Sequence, residues 1–337
     1  MKYSKVFLDS IGYELAPQVV TSKTLEARLE PLYNDLRMPL GQLEALTGIR
    51  ERRWWEPDAS LSGKALQAAR KALAQSQVPP AAVGALIYAG VCRENCEPAT
   101  ACAVAADLGL SAGAAVFDVS NACLGVLNGV LDIANRIELG QLRAGLVVSC
   151  ESAREINESM IERMLADRTM DGYRLSVATL TGGSGAVALL LTDGSFGRME
   201  RRLLGGVYQT APQHHDLCVW NNDFMRTDAA AVLKHGVELG RLTWQALLQA
   251  LGWAQGEVDK VICHQVGGVH RTAMLGSMGI PAEKDFSTYE YLGNIGTVSL
   301  PLTAAIAEER DFLKRGDKVA FFGIGSGLNC LMLGWEW

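Results

Sequence analysis

The sequence predicts an α/β fold made of two similar halves. Short apolar runs rich in β-branched residues alternate with longer helix-like segments along most of the chain. Two Gly-rich stretches, LTGGSGAVALLL (Leu180–Leu191) and FGIGSGLNCLML (Phe322–Leu333), echo one another and place the division between halves near Thr192. The 337 residues, 49% hydrophobic and with 35 glycines, suffice for two domains or one large unit with a sizeable core. Such alternation implies mostly parallel sheets covered by helices.

In the first half, VGALIYAG (Val83–Gly90) reads as a buried strand, being short, apolar and partly β-branched. ATACAVAADLGL (Ala99–Leu110) follows as a helix, with Pro98 suited to its first turn. AAVFDVS (Ala114–Ser120) is the next strand. CLGVLNGVLDIANRIELG (Cys123–Gly140) is apolar nearly all round, the mark of a helix inside the molecule, and Gly140 ends it. AGLVVSCES (Ala144–Ser152) is another buried strand. GGSGAVALLLTDG (Gly182–Gly194) is a turn that feeds a further one. Residues 154–181 break the rhythm with mixed polarity and read as an inserted, lid-like segment or substrate wall.

The second half, 193–337, repeats the grammar. VELGRLTWQALLQALGW (Val237–Trp253) is an amphipathic helix, KVICHQ (Lys260–Gln265) a strand and HRTAMLGSMG (His270–Gly279) a helix. VSLPLTAAIAEERDFLKRG (Val298–Gly316) is a long helix beginning near Pro301. KVAFFGIGSGLNCLMLGW (Lys318–Trp335) is strand, Gly-rich turn, strand.

Composition excludes several classes. A net charge of −6 argues against nucleic acid as a partner. No apolar run reaches the roughly 18 residues of a membrane span. The first residues, MKYSKVFLDSIGYELAP, lack the apolar core and cleavage site of a signal peptide, so a cytoplasmic location is expected. The eight cysteines lie mostly in apolar surroundings, which suits reduced thiols. Cys92, Cys96 and Cys102 have no histidine near them and lack paired zinc spacings, so no metal site is expected. His214 and His215, in PQHHD, read as solvated. GIGSG leads into a strand and not a helix, which fails the context of a dinucleotide fingerprint.

Cys123 is the residue that carries chemistry. It stands at the first turn of a buried helix, where unpaired N–H groups favour the thiolate. A histidine at a strand end, such as His264, is by itself an ordinary core residue. An Asn-x-Gly sequence, as at Asn294, is by itself ordinary turn chemistry. Their joint presence is what changes the reading.

DVSNACLGVLNG around Cys123 resembles the nucleophile turn of the thiolase-superfamily condensing enzymes, and within them the β-ketoacyl-ACP synthase III group. ICHQVGGVH resembles that group's histidine strand and places His264. YLGNIGTVSLP resembles its asparagine loop and places Asn294. FGIGSGLNC resembles its C-terminal oxyanion loop, and TGIRERRW (Thr47–Trp54) its early signature. The likeness spans essentially the whole chain. It implies the thiolase fold, a five-layered αβαβα arrangement of two duplicated halves, and a homodimer.

The resemblance also implies a mechanism without a bound cofactor or metal. Cys123 would take an acyl group from a thioester of CoA or acyl carrier protein. Its own N–H and that of Gly327 would hold the first oxyanion. His264 and Asn294 would stabilise the enolate of the second thioester, which closes a carbon–carbon bond by Claisen condensation.

Two routes to the enolate divide the group. Decarboxylation of malonyl-ACP needs no base. Joining two fatty acyl-CoAs, as in the olefin-pathway condensing enzymes, needs removal of an α-proton by a carboxylate of the partner subunit. CRENCEPATACAV carries Glu97 where the latter pattern has that glutamate. A glutamate at a helix start is otherwise favoured by the helix dipole by about 0.3–1 kcal/mol. Glu94 is the competing base. Leu46 and Gly267 stand where the malonyl-using enzyme has an arginine and an asparagine, which weakens that alternative and the carrier protein with it. A cysteine acyl transferase or thioesterase without condensation, and an idle acyl-binding subunit, are the remaining readings. Arg143, Arg154 and Arg271 are candidates for contacts to the CoA nucleotide, and their spacing does not choose among them.

Overall fold

The computed structural model describes residues 1–221 and 224–337. Its strands are β1 (Phe7–Leu15), β2 (Gln18–Thr21), β3 (Glu51–Trp54), β4 (Ala85–Ala89), β5 (Ala115–Val119), β6 (Ala144–Glu151) and β7 (Gly185–Thr192). They continue with β8 (Arg202–Thr210), β9 (Cys218–Trp220), β10 (Met225–Thr227), β11 (Lys260–Cys263), β12 (Lys318–Gly325) and β13 (Asn329–Glu336). Nine of them form one hydrogen-bonded series in the order β11-β12-β13-β8-β1-β7-β6-β4-β5. β8 meets β1 through a single residue pair, Phe7 and Arg202. Outward from that junction the two sides match. β1-β7-β6-β4 runs antiparallel, antiparallel, parallel, and β8-β13-β12-β11 does the same. β5 extends the first side by one parallel strand and forms its edge.

The sheet is therefore mixed, not mostly parallel. The Gly-rich turn after Gly325 is too short for a crossover, so β13 returns beside β12 as a hairpin.

Helices complete five layers. Helix Leu61–Ala74 covers the outer face of β1, β7 and β6, with Ser60 Oγ capping it through Gly63 N–H at 3.0 Å. Helix Ala229–Leu251 covers the outer face of β8 and β13. Between the two sides lie helices Gly125–Glu138 and Ser299–Glu309. Their apolar residues form one core with Ile87, Val147 and Leu189 from one side and Ile262, Phe321 and Leu333 from the other. The apolar surface that both central helices bury contributes roughly 25 cal/mol per Å².

Several boundaries differ from the sequence expectation. Helix Ala229–Leu251 starts eight residues before Val237, capped by Asp228 through Ala231 N–H. The last long helix stops at Glu309, well short of Gly316. Pro98 lies outside the following helix, which begins at Thr100. Asp118 of β5, the next strand, supplies the cap, accepting from Thr100 and Ala101 N–H at 2.8 and 2.9 Å. Residues 154–181 form helices Arg154–Asp167 and Met170–Ser176 and a short 3-10 turn. Met160 Sδ there accepts from Met225 N–H of β10 at 3.3 Å, tying the segment to the β9–β10 hairpin.

Candidate active site

β5, β11 and β12 end at the same end of the central helices, and each delivers part of the site. After β5 the chain turns through Ala122, whose φ of 44° is left-handed and unusual for a residue with a side chain. That turn places Cys123 just before the helix, which starts at Gly125, and not within its first turn. The C-terminal turn presses on it: a Cβ added to Gly325 would stand 3.2 Å from Cys123 N. A side chain at 325 would press on the backbone N–H of Cys123. The glycine in contact with Cys123 is thus Gly325. Gly327, at φ 136°, has Asn329 as its nearest neighbour.

Burial, followed by the nearby Cys218 thiol and Glu151 carboxylate, pushes the Cys123 thiol up. The resting thiol is therefore protonated, and the helix field does not by itself release a thiolate. All eight cysteines are free; Cys96 and Cys102 are the exposed ones.

His264 follows β11 directly. Its N–H donates to Phe322 O of β12 at 2.9 Å, three residues before Gly325, which locks the histidine strand to the turn beside Cys123. Its Nδ1 is buried and has no protein partner. Burial first, and the His270 ring second, push its pKa down to about 3. The imidazole is neutral, and what it offers a substrate is one N–H and one lone pair.

Asn294 is fixed from three sides. Its N–H donates to Thr181 O at 2.8 Å, and its own carbonyl accepts from Gly183 N–H at 2.8 Å. Its Oδ1 accepts from Gly296 N–H at 3.0 Å, which leaves the amide NH₂ as the group to donate. Three residues on, Thr297 Oγ1 accepts from Val126 N–H at 2.7 Å in the first turn of the cysteine's helix. The asparagine loop and the nucleophile turn are thereby one hydrogen-bonded unit.

Glu97 is exposed on the loop joining β4 to helix Thr100–Leu108. Glu94, also exposed, accepts from Ser62 N–H at 2.8 Å and so helps cap helix Leu61–Ala74. The arginines are occupied elsewhere. Arg143 bonds Ser195 and lies over Phe196, at the start of β6, the end of that strand remote from Cys123. Arg271 pairs with buried Asp285 at 2.6 Å, and Asp285 accepts from Cys263 N–H next to His264. Arg154 donates to Trp55 O and lies over Trp54. His214 is not merely solvated; its ring stacks on His235 at 3.8 Å. Gly267, at φ 154°, has Thr47 O 2.8 Å from where a Cβ would be, so an asparagine has no room there without movement. Leu46 is exposed.

Sequence reasoning missed Thr297, Gly325 and Glu151. The available signal for Glu151 was a carboxylate ending an otherwise buried strand. For Thr297 no local signal exists, because its partner is far away in sequence.

A cysteine on a strained turn, a neutral histidine and a fixed asparagine amide, at the strand ends of a duplicated five-layer fold, define a thiolase-fold condensing enzyme. Family models agree in both halves: Thiolase, N-terminal domain, matches residues 58–188, and 3-oxoacyl-ACP synthase III, C-terminal, matches residues 248–337. An acyl-CoA:acyl-CoA alkyltransferase of Shewanella oneidensis is 57% identical over 349 residues, covering 100% of both chains. One of Xanthomonas campestris is 38% identical over 338 residues, again covering 100% of both. Xanthomonas campestris OleA with cerulenin bound superposes with a TM-score of 0.97 at 38% identity, over 100% of this chain and 98% of that one. That protein has also been solved with substitutions at a cysteine, a glutamate and a histidine, and with lauric acid and lauroyl-CoA bound. The chain belongs to the acyl-CoA:acyl-CoA alkyltransferase (OleA) family. Among its described residues no helix is long and apolar enough to cross a membrane.

Proposed function

We propose that this protein joins two fatty acyl-CoAs head to head by a Claisen condensation without decarboxylation. The observation that carries the reading is full-length identity of 57% to an acyl-CoA:acyl-CoA alkyltransferase; the hydrogen bonds that tie the His264 strand and the Asn294 loop to the elements around Cys123 support it. Cys123 sulfur attacks the first thioester, forming acyl-Cys123 and releasing CoA thiol. The thiol's proton ends on the departing CoA sulfur, so this exchange of one thioester for another consumes no base. The N–H of Cys123, with Gly327 in the turn that packs on it, holds the first oxyanion. The second acyl-CoA puts its carbonyl on the His264 and Asn294 donors. A base takes its α-proton, the enolate carbon attacks acyl-Cys123, and the cysteine sulfur leaves. The product is a β-keto acyl-CoA.

Glu97 of a partner subunit is the base in this reading. What supports it is exposure on the single chain, which leaves the carboxylate available to a neighbour. In the Xanthomonas protein, the substituted glutamate precedes the substituted cysteine by the same number of residues that separates Glu97 from Cys123. A homodimer supplies the neighbour. β5 is an unpaired, largely apolar edge close to that loop, and a second copy of β5 would close it.

The test offers a long-chain acyl-CoA alone, then with a malonyl thioester, and identifies products by mass spectrometry. A β-keto product from acyl-CoA alone is expected. Product only in the presence of malonyl would establish the decarboxylating synthase instead. Free fatty acid alone would establish a thioesterase.

A further inference from the structure

Glu151 closes β6 in a sequence where every other strand residue is small or apolar, and it is 4% exposed. A carboxylate taken out of water is costly unless N–H groups surround it. Here they come from two separate loops. Glu151 Oε1 accepts from Val91 N–H at 3.0 Å, and Oε2 from Cys92 N–H at 3.1 Å. Both amides open the loop that ends in Glu97. On the other side, the Thr297 backbone draws the carboxyl's pKa down. Gly296 packs so closely that a Cβ there would stand 3.3 Å from Oε1. Gly296 N–H in turn holds Asn294 Oδ1, and Thr297 Oγ1 holds Val126 N–H of the cysteine's helix.

We infer that Glu151 is a positioning residue. It sets the loop bearing Glu97 and the loop bearing Asn294 at a fixed spacing over the helix that follows Cys123. The inference rests on the proposed condensation. Acylation uses the Cys123 turn, which Leu124 N–H to Asn121 O and the contact with Gly325 hold independently. Condensation needs the enolate site and the base aligned as well, and those are the two loops that Glu151 joins. Burial pushes the Glu151 carboxyl up, while the N–H groups of Val91, Cys92 and Thr297 oppose that shift and favour the charged form.

The experiment compares wild-type with Glu151→Gln, which keeps the shape but turns one acceptor oxygen into an NH₂ group facing a backbone N–H. Acyl-Cys123 formation is followed by quenched intact mass, condensed product by chromatography, and amide exchange by mass spectrometry. Expected are acylation within about threefold of wild-type and condensation lower by about 10²-fold, the loss that a misplacement near 1 Å produces. Peptides spanning 90–99 and 294–298 should exchange faster. Glu151→Asp keeps the charge at shorter reach and should recover part of the condensation rate; it also serves if Glu151→Gln does not fold. Equal losses in both half-reactions, or unchanged exchange in both peptides, would overturn the role. Wild-type that acylates but never condenses would instead sink the proposed reaction, and the exchange comparison would still decide whether Glu151 holds the two loops.

Discussion

Thr297 Oγ1 accepts the N–H of Val126 at 2.7 Å, so the loop that presents Asn294 also caps the helix that follows Cys123. Residues 171 apart in sequence share one hydrogen bond at the centre of the site. A helix start has N–H groups without intrahelical partners, and this one has no side-chain cap at its own Leu124. The cap comes from the other half of the molecule.

Thr297→Val keeps the shape and removes the acceptor. A buried N–H left unpaired costs about 1–3 kcal/mol. Chemical denaturation should show a loss of that size, and Thr297→Ser should restore most of it. A valine variant as stable as wild-type would show that water or a shifted backbone takes over the cap.

Cys123 should be slow toward iodoacetamide at neutral pH when no substrate is bound, because its thiol is pushed up and remains protonated. Cys96 and Cys102 are exposed and should be alkylated first. Raising the pH should speed Cys123 alkylation continuously, since deprotonation is what the buried thiol lacks. Peptide mapping across a pH series reads this directly. Acyl-CoA alone should still acylate Cys123 and no other cysteine, and Cys123→Ala should take up no acyl group.

His264→Ala should form acyl-Cys123 and make little condensed product. Losing one oxyanion donor commonly costs about 10²–10³ in rate. The histidine also has a signature in stability. Its folded pKa is pushed down to about 3, below the ordinary histidine value of 6.5. Between those values the unfolded chain binds the proton and the folded chain does not. Its contribution is complete above pH 6.5 and is lost as pH falls toward 3. Wild-type should therefore lose stability across that acid window more steeply than His264→Ala, as read by denaturation at several pH values.

Much of this site was legible in the sequence because each motif is local. DVSNAC, ICHQ and YLGNIG each end a strand or open a helix, and the turn chemistry that shapes them is written in adjacent residues. What failed to show was everything set by distant partners. Apolar runs alone do not fix strand direction, so the antiparallel pairing of β7 with β1 and β6 was not visible. Pro98 looked like a helix start, because nothing beside it reveals that Asp118 caps the helix two residues later. The helix field at Cys123 is a local effect and suggested a thiolate. Burial pushes the thiol the other way, and Cys218 and Glu151 add to that push; only the fold supplies these effects. Glu151 lay unremarked inside a run read only as a buried strand.

The last prediction concerns where Glu97 acts. Removing an α-proton beside a thioester needs a positioned base together with a site for the enolate oxygen. Glu97→Gln should leave acylation of Cys123 intact and abolish joining of two acyl-CoAs, and a malonyl thioester should bypass the defect. If the carboxylate serves the neighbouring subunit, the defect is also repairable in a mixed dimer. Cys123→Ala supplies an intact Glu97 but no nucleophile, and Glu97→Gln supplies an intact nucleophile but no base. Co-expressed as a heterodimer, they contain one complete site, formed by Cys123 of one chain and Glu97 of the other. The purified heterodimer should recover roughly half of the wild-type condensation rate per dimer, the arithmetic of one working site in two. Each variant alone should stay inactive. A heterodimer as inactive as its parents, alongside a Glu97→Gln homodimer that acylates normally, would place the base on the same chain as its cysteine or on another residue altogether.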